Sequence, residues 1–273
     1  RKVNYYIDGK KVEECPAQGR YELKSIKCNR KDANATWDNN TWSLSTDDIG
    51  KKITVDLNFI YTESPVTMNG IGYDTLQGAF DAAGTGPAEI HITKDISGSG
   101  VTHQGSDITL CFNGFTLEGS ETDTIVNNGN MKILGNNGSI VTPSGDAKTL
   151  VNFGTMSVSD LTIESSADTF TVWNSNNKES SLRLTNCSIT RTNIDVVPVI
   201  NSGSMQLDHA TITGGGDLTH PALLQNDAGA DLVMTGSTIT NTGSGYSLYR
   251  ESGTVNMDGE SRAPNAYGLD AEG

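Results

Sequence analysis

The chain has 273 residues, with 19 Lys and Arg against 33 Asp and Glu, for a formal net charge of −14. That acidity argues against nucleic acid and against an anionic membrane surface, both of which need clustered Lys and Arg, and no apolar run approaches the roughly 20 residues of a membrane helix. Hydrophobic residues make up 35% and charged residues only 19%, which is not the high-charge signature of disorder; Gly, Ser, Thr and Asn fill the remainder, the residues of many short strands and turns.

The sequence starts at Arg1 with neither Met nor a signal-like apolar stretch, which reads as a processed or trimmed piece of something longer. Residues 1–62 are expected to be a small all-β, sandwich-like module. Val3–Ile7 reads as a strand followed by an Asp8-Gly9 turn. Tyr21–Cys28 alternates, and Ile53–Phe59 puts Ile53, Val55, Leu57 and Phe59 on one face. Trp37 and Trp42 belong to the expected core of this module rather than to a glycan platform. Cys15 and Cys28 could bridge within this small domain. None of the four cysteines makes a CxxC pair, so a zinc knuckle is not expected.

Residues 63–72 (ESPVTMNGIG) read as a linker. A helix is expected over 74–83, with Asp74 as its cap and Gln77 reaching back in a capping box. Leu76, Phe80 and Ala83 share one face of it, and Gly84 with Gly86-Pro87 ends it.

Beyond residue 88 the chain repeats itself. Alternating strands begin at Ile108, Met131, Met156, Leu182, Met205, Leu232 and Val255. A second strand follows each after a tight turn (FTLEG, SIVTP, LTIES, CSITR, ATITG, STITN), and a third precedes each (TIVNNG, TLVNFG, TVWNSN, PVINSG, LLQNDAG, SLYRESG). Three strands per repeat with no helix inside it predict a parallel β-helix of about seven rungs, stacked at about 4.8 Å. The general preference for right-handed parallel crossovers predicts its hand. One inward column runs Ile108, Leu110, Met131, Ile133, Met156, Val158, Leu182, Leu184, Met205, Leu207, Leu232 and Met234. A second runs Leu117, Ile140, Ile163, Ile189, Ile212 and Ile239. Cys187 falls in a core-facing slot and is expected to be a buried thiol. Asn127, Asn152, Asn174 and Asn201, with Asn226 near the same slot, are expected to stack as a turn ladder. The helix over 74–83 would close the exposed end of the coil, and the tail from Glu260 to Gly273 is a weaker cap for the other end.

YDTLQGAFDAAG, EIHIT, ITLCFNGFTLEG and TIVNNGNMKILG together resemble the pectate-lyase-like right-handed β-helix group. They resemble more closely the repeats of bacterial secreted and cell-surface, adhesin-like proteins. Phage tailspikes share a capping helix of the TLQ-AFDAA type. The resemblance spans roughly residues 73–260. YYIDGK, GRYEL and ATWDNNTW in the first module resemble small β domains repeated in secreted proteins of Gram-positive bacteria.

Enzymes of this fold group are polysaccharide lyases with a Lys or Arg base near calcium-binding carboxylates, or glycoside hydrolases with paired Asp or Glu. Asp160 and Asp208 come nearest to such a pair, but they lie roughly two rungs apart and one residue out of register. Arg183, Arg191 and Arg250 make no cluster with carboxylates, and His91, His103, His209 and His220 fall in no HxH or HExxH motif. No metal and no cofactor are expected. Trp173, Tyr246 and Tyr249, with Arg250 beside them, lie on the third-strand side, and exposed aromatics there would suit sugar rings. The expectation is thus a non-catalytic extracellular surface fragment, secreted or cell-surface, that binds glycans or other surface ligands as a monomer. The alternatives are a polysaccharide lyase or hydrolase with its site in residues 170–181 or 214–222, and a phage-derived spike, which would be a trimer.

Overall fold

The computed structural model describes residues 2–7, 10–14, 21–29, 31–32, 35–38, 41–44, 54–61, 64–69, 71–84, 86–105, 107–175, 180–191, 196–215 and 222–269. The fold is almost entirely β, and it divides into two compact units. Cys15, and with it a Cys15–Cys28 bridge, lies outside the described residues, as do His220 and parts of both loop excursions.

The first unit holds residues 1–64 together with 70–74. Its larger sheet has five strands, in the order Lys10–Val12, Lys2–Ile7, Thr54–Tyr61, Tyr21–Cys28, Lys31–Asp32. Lys2–Ile7 runs parallel to Thr54–Tyr61, and the other neighbours are antiparallel. Asn4 donates to the Asp56 carboxylate across the central pair at 2.7 Å. Ala35–Asp38 and Thr41–Leu44 form a separate hairpin that sets Trp37 opposite Trp42.

The second unit is a parallel β-solenoid of about six turns. Its first stack comprises Ala88–Ile92, Asp107–Cys111, the early halves of Asn130–Thr142 and Thr155–Ser165, then Ser181–Thr185, Ser204–Asp208, Asp231–Thr235 and Thr254–Met257. The second stack begins with Thr116–Glu118, takes the later halves of the two long strands, and continues through Ser188–Arg191, Thr211–Gly214 and Thr238–Asn241. The third stack has seven strands, from Val101–His103 to Tyr246–Arg250. Within the segment read as a linker, Val66–Met68 forms a strand antiparallel to Ala88–Ile92 and belongs to this unit.

Both inward columns are buried throughout, every member at 4% exposure or less. The register lines them up rung by rung, for example Met131 on Met156 on Leu182, and Ile140 on Ile163 on Ile189. Each such side chain contributes about 1.5–3 kcal/mol of burial. A further inward column follows the turn between the first two stacks: Leu161, Cys187, Ala210 and Ser237. The Cys187 thiol there is pushed up to about 11 by burial, despite hydrogen bonds from the backbone.

The asparagine column is a continuous buried chain of amides. Asn127 donates to the Asn152 side-chain oxygen, Asn152 to Asn174, Asn174 to Asn201 and Asn201 to Asn226, at 2.7–2.9 Å. The same amides also donate to backbone carbonyls, as Asn152 does to Gly154 and Ser181. No member is exposed, so the chain satisfies carbonyls where the third stack turns into the first. His103 holds this slot in the first rung and Arg250 in the last.

The helix spans Leu76–Ala83, and its cap is Thr75 rather than Asp74: the Thr75 hydroxyl accepts from the Gly78 amide at 3.0 Å. Gln77 makes no capping box. Its side chain accepts from the Thr102 amide at 2.8 Å and donates to the Thr102 carbonyl at 3.2 Å. A side-chain amide thereby stands in for a missing strand on the outer edge of the third stack, a direct cover for an otherwise open edge. Leu76, Ala79 and Phe80 form the buried face, and Ala83 is only half-buried. At the far end, Tyr267 exchanges backbone hydrogen bonds with Leu248 and Arg250, and Arg262 does so with Ser237 and Ile239. The tail thus adds a partial last turn.

Candidate functional site

The turn between the first two stacks repeats one backbone conformation. Asp160, Asn186, His209 and Gly236 have φ between +52° and +54°, a region that Gly, Asn, Asp and His enter most readily. The register carries Asp208 onto Thr185 and Thr185 onto Ser159. Asp160 therefore shares a column with His209, not with Asp208, and lies two rungs away, about 10 Å. Asn186, between them, donates to Asp160 at 3.2 Å. The fold does not bring these two carboxylates together.

Asp208 has partners of its own. His209 Nδ1 lies 2.7 Å from one carboxylate oxygen and Arg183 Nη2 2.7 Å from the other. The hydrogen bond from His209, then that from Arg183, holds the Asp208 carboxyl below the ordinary carboxylate range. Asp258 is lowered as well, first by the Ser261 hydroxyl. A depressed folded-state pKa means stability that is present above the unfolded value, about 3.9, and lost as pH falls through the folded one. Asp258→Asn and Asp208→Asn are therefore expected to be less stable than the parent at neutral pH, with the difference narrowing as pH falls below about 4; acid unfolding followed by circular dichroism checks this, and a difference that does not change with pH means that the carboxylates are idle.

Two of the candidate arginines are committed. Arg183 is held by Asp208. Arg191 is buried at 4% exposure, donating to the backbone carbonyls of Ala167 and Thr169, and burial lowers its pKa. A base for polymer cleavage has to reach its substrate, and Arg191 does not reach the surface.

The aromatics separate into two places along the third stack. Trp173 is half-buried, edge-on to Phe153 at 5.5 Å, with the Lys148 ammonium 5.8 Å from its ring. Tyr249 occupies the same outward column three rungs further on, through Ile200 and Gln225. Tyr249 and Tyr267 stack with centroids 5.2 Å apart and planes within 3°, and Tyr246 lies 5.2 Å from Tyr267. Tyr267 is 50% exposed. It has no place in the repeat, and only the return of the tail onto the last rung brings it here.

A third grouping was equally invisible in the sequence. Glu89 and His91 on Ala88–Ile92 meet Cys111 on the adjacent strand, with one ligating atom from each within 4.8 Å of the others. His91 Nε2 is 2.9 Å from Glu89 Oε1, and Cys111 Sγ is 4.0 Å from the same oxygen. Asn113 Nδ2 lies 3.4 Å from His91 Nδ1. Burial raises the Cys111 pKa, Glu89 raises it further and Lys132 opposes. Glu89 and Lys132 also line a shallow groove on the outer face of the first stack. His91 and Cys111 are in register as rung neighbours.

No family model, no curated protein and no solved structure matches the chain. Among the described residues, no helix is long and apolar enough to cross a membrane.

Proposed function

We propose that the solenoid is a non-catalytic binding scaffold of the adhesin-like kind, secreted or displayed at a bacterial surface, that holds carbohydrate against aromatic side chains on its third stack. The observation that carries this reading is the tyrosine cluster at the last rungs, where Tyr249 and Tyr267 stack and Tyr267 stays half exposed. Aromatic faces match the apolar faces of sugar rings, and a tyrosine adds a polar handle. Trp173 lies in the same outward column, three rungs away, as a second contact along an extended chain. Two-carboxylate hydrolysis finds little support here, since Asp160 and Asp208 are out of register and Asp208 is taken up by Arg183 and His209. The resemblance of the repeats to secreted β-helix proteins supports the location.

The test is a glycan-array screen with a polysaccharide-cleavage assay on the same polymers. Binding without turnover is expected, weakened roughly tenfold, about 1.4 kcal/mol, by Tyr249→Ala or Tyr267→Ala. Release of oligosaccharide products would overturn the proposal, and so would binding that survives Tyr249→Ala, Tyr267→Ala and Trp173→Ala alike.

A further inference from the structure

We infer that Glu89, His91 and Cys111 form a site for one divalent transition-metal ion of the zinc type, with a coordination position left open to solvent on the side of the exposed Glu89 and His91 side chains. The three donors are a carboxylate, an imidazole and a thiol, the residue types that bind zinc, and catalytic-type zinc sites use three protein ligands plus a water. Their spacing suits one ion. Separations of 2.9 and 4.0 Å, with all three ligating atoms inside 4.8 Å, bracket the edges of a tetrahedron whose bonds are about 2.0–2.3 Å. Small side-chain rotations equalise them. The backbone beneath is fixed, because Ala88–Ile92 and Asp107–Cys111 are paired in register and the second strand is paired again to Asn130–Thr142.

The charge also fits. On binding, the Cys111 thiol gives its proton to solvent and coordinates as the thiolate. Thiolate and carboxylate together then neutralise a divalent cation. His91 Nε2 gives up its hydrogen bond with Glu89 and its proton moves to Nδ1; the Asn113 amide, whose Nδ2 faces Nδ1 and donates to the Ile92 carbonyl in the metal-free chain, then has to turn its oxygen toward the ring. Soft sulfur in the donor set selects against Mg2+ and Ca2+, which take oxygen ligands. That selectivity matters in a chain with net charge −14, whose scattered carboxylates attract any divalent ion weakly.

Cobalt(II) is the probe, because a thiolate ligand gives it a charge-transfer band in the near ultraviolet. Titration of the whole chain with Co2+ is expected to produce that band at one ion per chain. Zn2+ displaces it and excess Mg2+ does not. Cys111→Ser abolishes the band, and His91→Ala weakens Co2+ binding at least tenfold. Glu89→Gln changes an exposed side chain, so it keeps the fold and weakens binding if Cys111→Ser does not fold. Cys187→Ser leaves the band in place. The inference fails if no band forms at millimolar Co2+, if the band persists in Cys111→Ser, or if Glu89→Gln and His91→Ala both bind as the parent does. Loss of glycan binding has no bearing on this outcome, since the tyrosine cluster lies at the other end of the stacks.

Discussion

Asn174→Ala is expected to destabilise the solenoid unit by about 3 kcal/mol. Asn174 accepts from Asn152 at 2.9 Å and donates to Asn201 and to the Ser204 carbonyl, both at 2.9 Å. None of these three asparagines is exposed, so water cannot replace what the alanine removes. Asn152 keeps its bonds to Gly154 and Ser181, which limits the loss. The Ser204 carbonyl loses its side-chain donor, and a small void opens in the column. Asn174→Asp is the sharper variant. A carboxylate there has no proton to give Asn201 Oδ1 or Ser204, and a buried charge of this kind has its pKa raised. A raised folded-state pKa means that stability falls as pH rises above the ordinary carboxylate range. Relative to the parent, Asn174→Asp is therefore least stable at neutral pH and recovers toward pH 4. Urea unfolding followed by circular dichroism measures both. Asn256→Ala, at an exposed position in the last rung, is the control and stays within about 0.5 kcal/mol of the parent. A cost below 1 kcal/mol for Asn174→Ala, on the order of a single solvent-accessible hydrogen bond, would show that the ladder is ornamental.

Ile163→Ala is expected to cost about 4 kcal/mol and Ile163→Val about 1 kcal/mol. Ile163 is completely buried and in register between Ile140 and Ile189. Its strand is hydrogen-bonded on both sides, so the backbone cannot close over the gap, and an uncollapsed cavity is the costly kind. Neighbouring rungs are the only source of stabilisation for any one rung of a solenoid. The damage is therefore felt first in the rungs around Thr155–Ser165, and hydrogen exchange of that strand reports it before global unfolding does. If Ile163→Ala unfolds within about 1 kcal/mol of the parent, the column is loosely packed and the rungs are less rigid than their register implies.

Much of the solenoid was legible in advance because stacking repeats a physical demand. Every rung needs two apolar residues facing inward on its first strand and one on its second, so a two-residue alternation recurs along the chain. Where a local demand can be met by either of two neighbours, the pattern does not choose between them. Asp74 and Thr75 are both capable caps, and the choice of Thr75 follows from where the chain enters the helix. Gln77 looked like the far member of a capping box, yet its amide serves the edge at Thr102, 25 positions away.

Sites suffered most. The regular period begins at Ile108, whereas the rung that carries Glu89 and His91 pairs with it through Ala88. Neither residue has a metal motif beside it in sequence, and Cys111 joins them only across the ladder. Tyr267 lies in a tail with no repeat, and its stacking on Tyr249 depends on that tail folding back.

The sequence alone determined the spiral: its rung length, its two greasy columns and its amide ladder, because each is a one-dimensional pattern set by side-chain period. Tertiary structure alone decided which polar side chains meet. Those meetings depend on the offset between adjacent rungs: a difference of one position puts Asp160 and Asp208 in separate columns, and exact register joins His91 to Cys111.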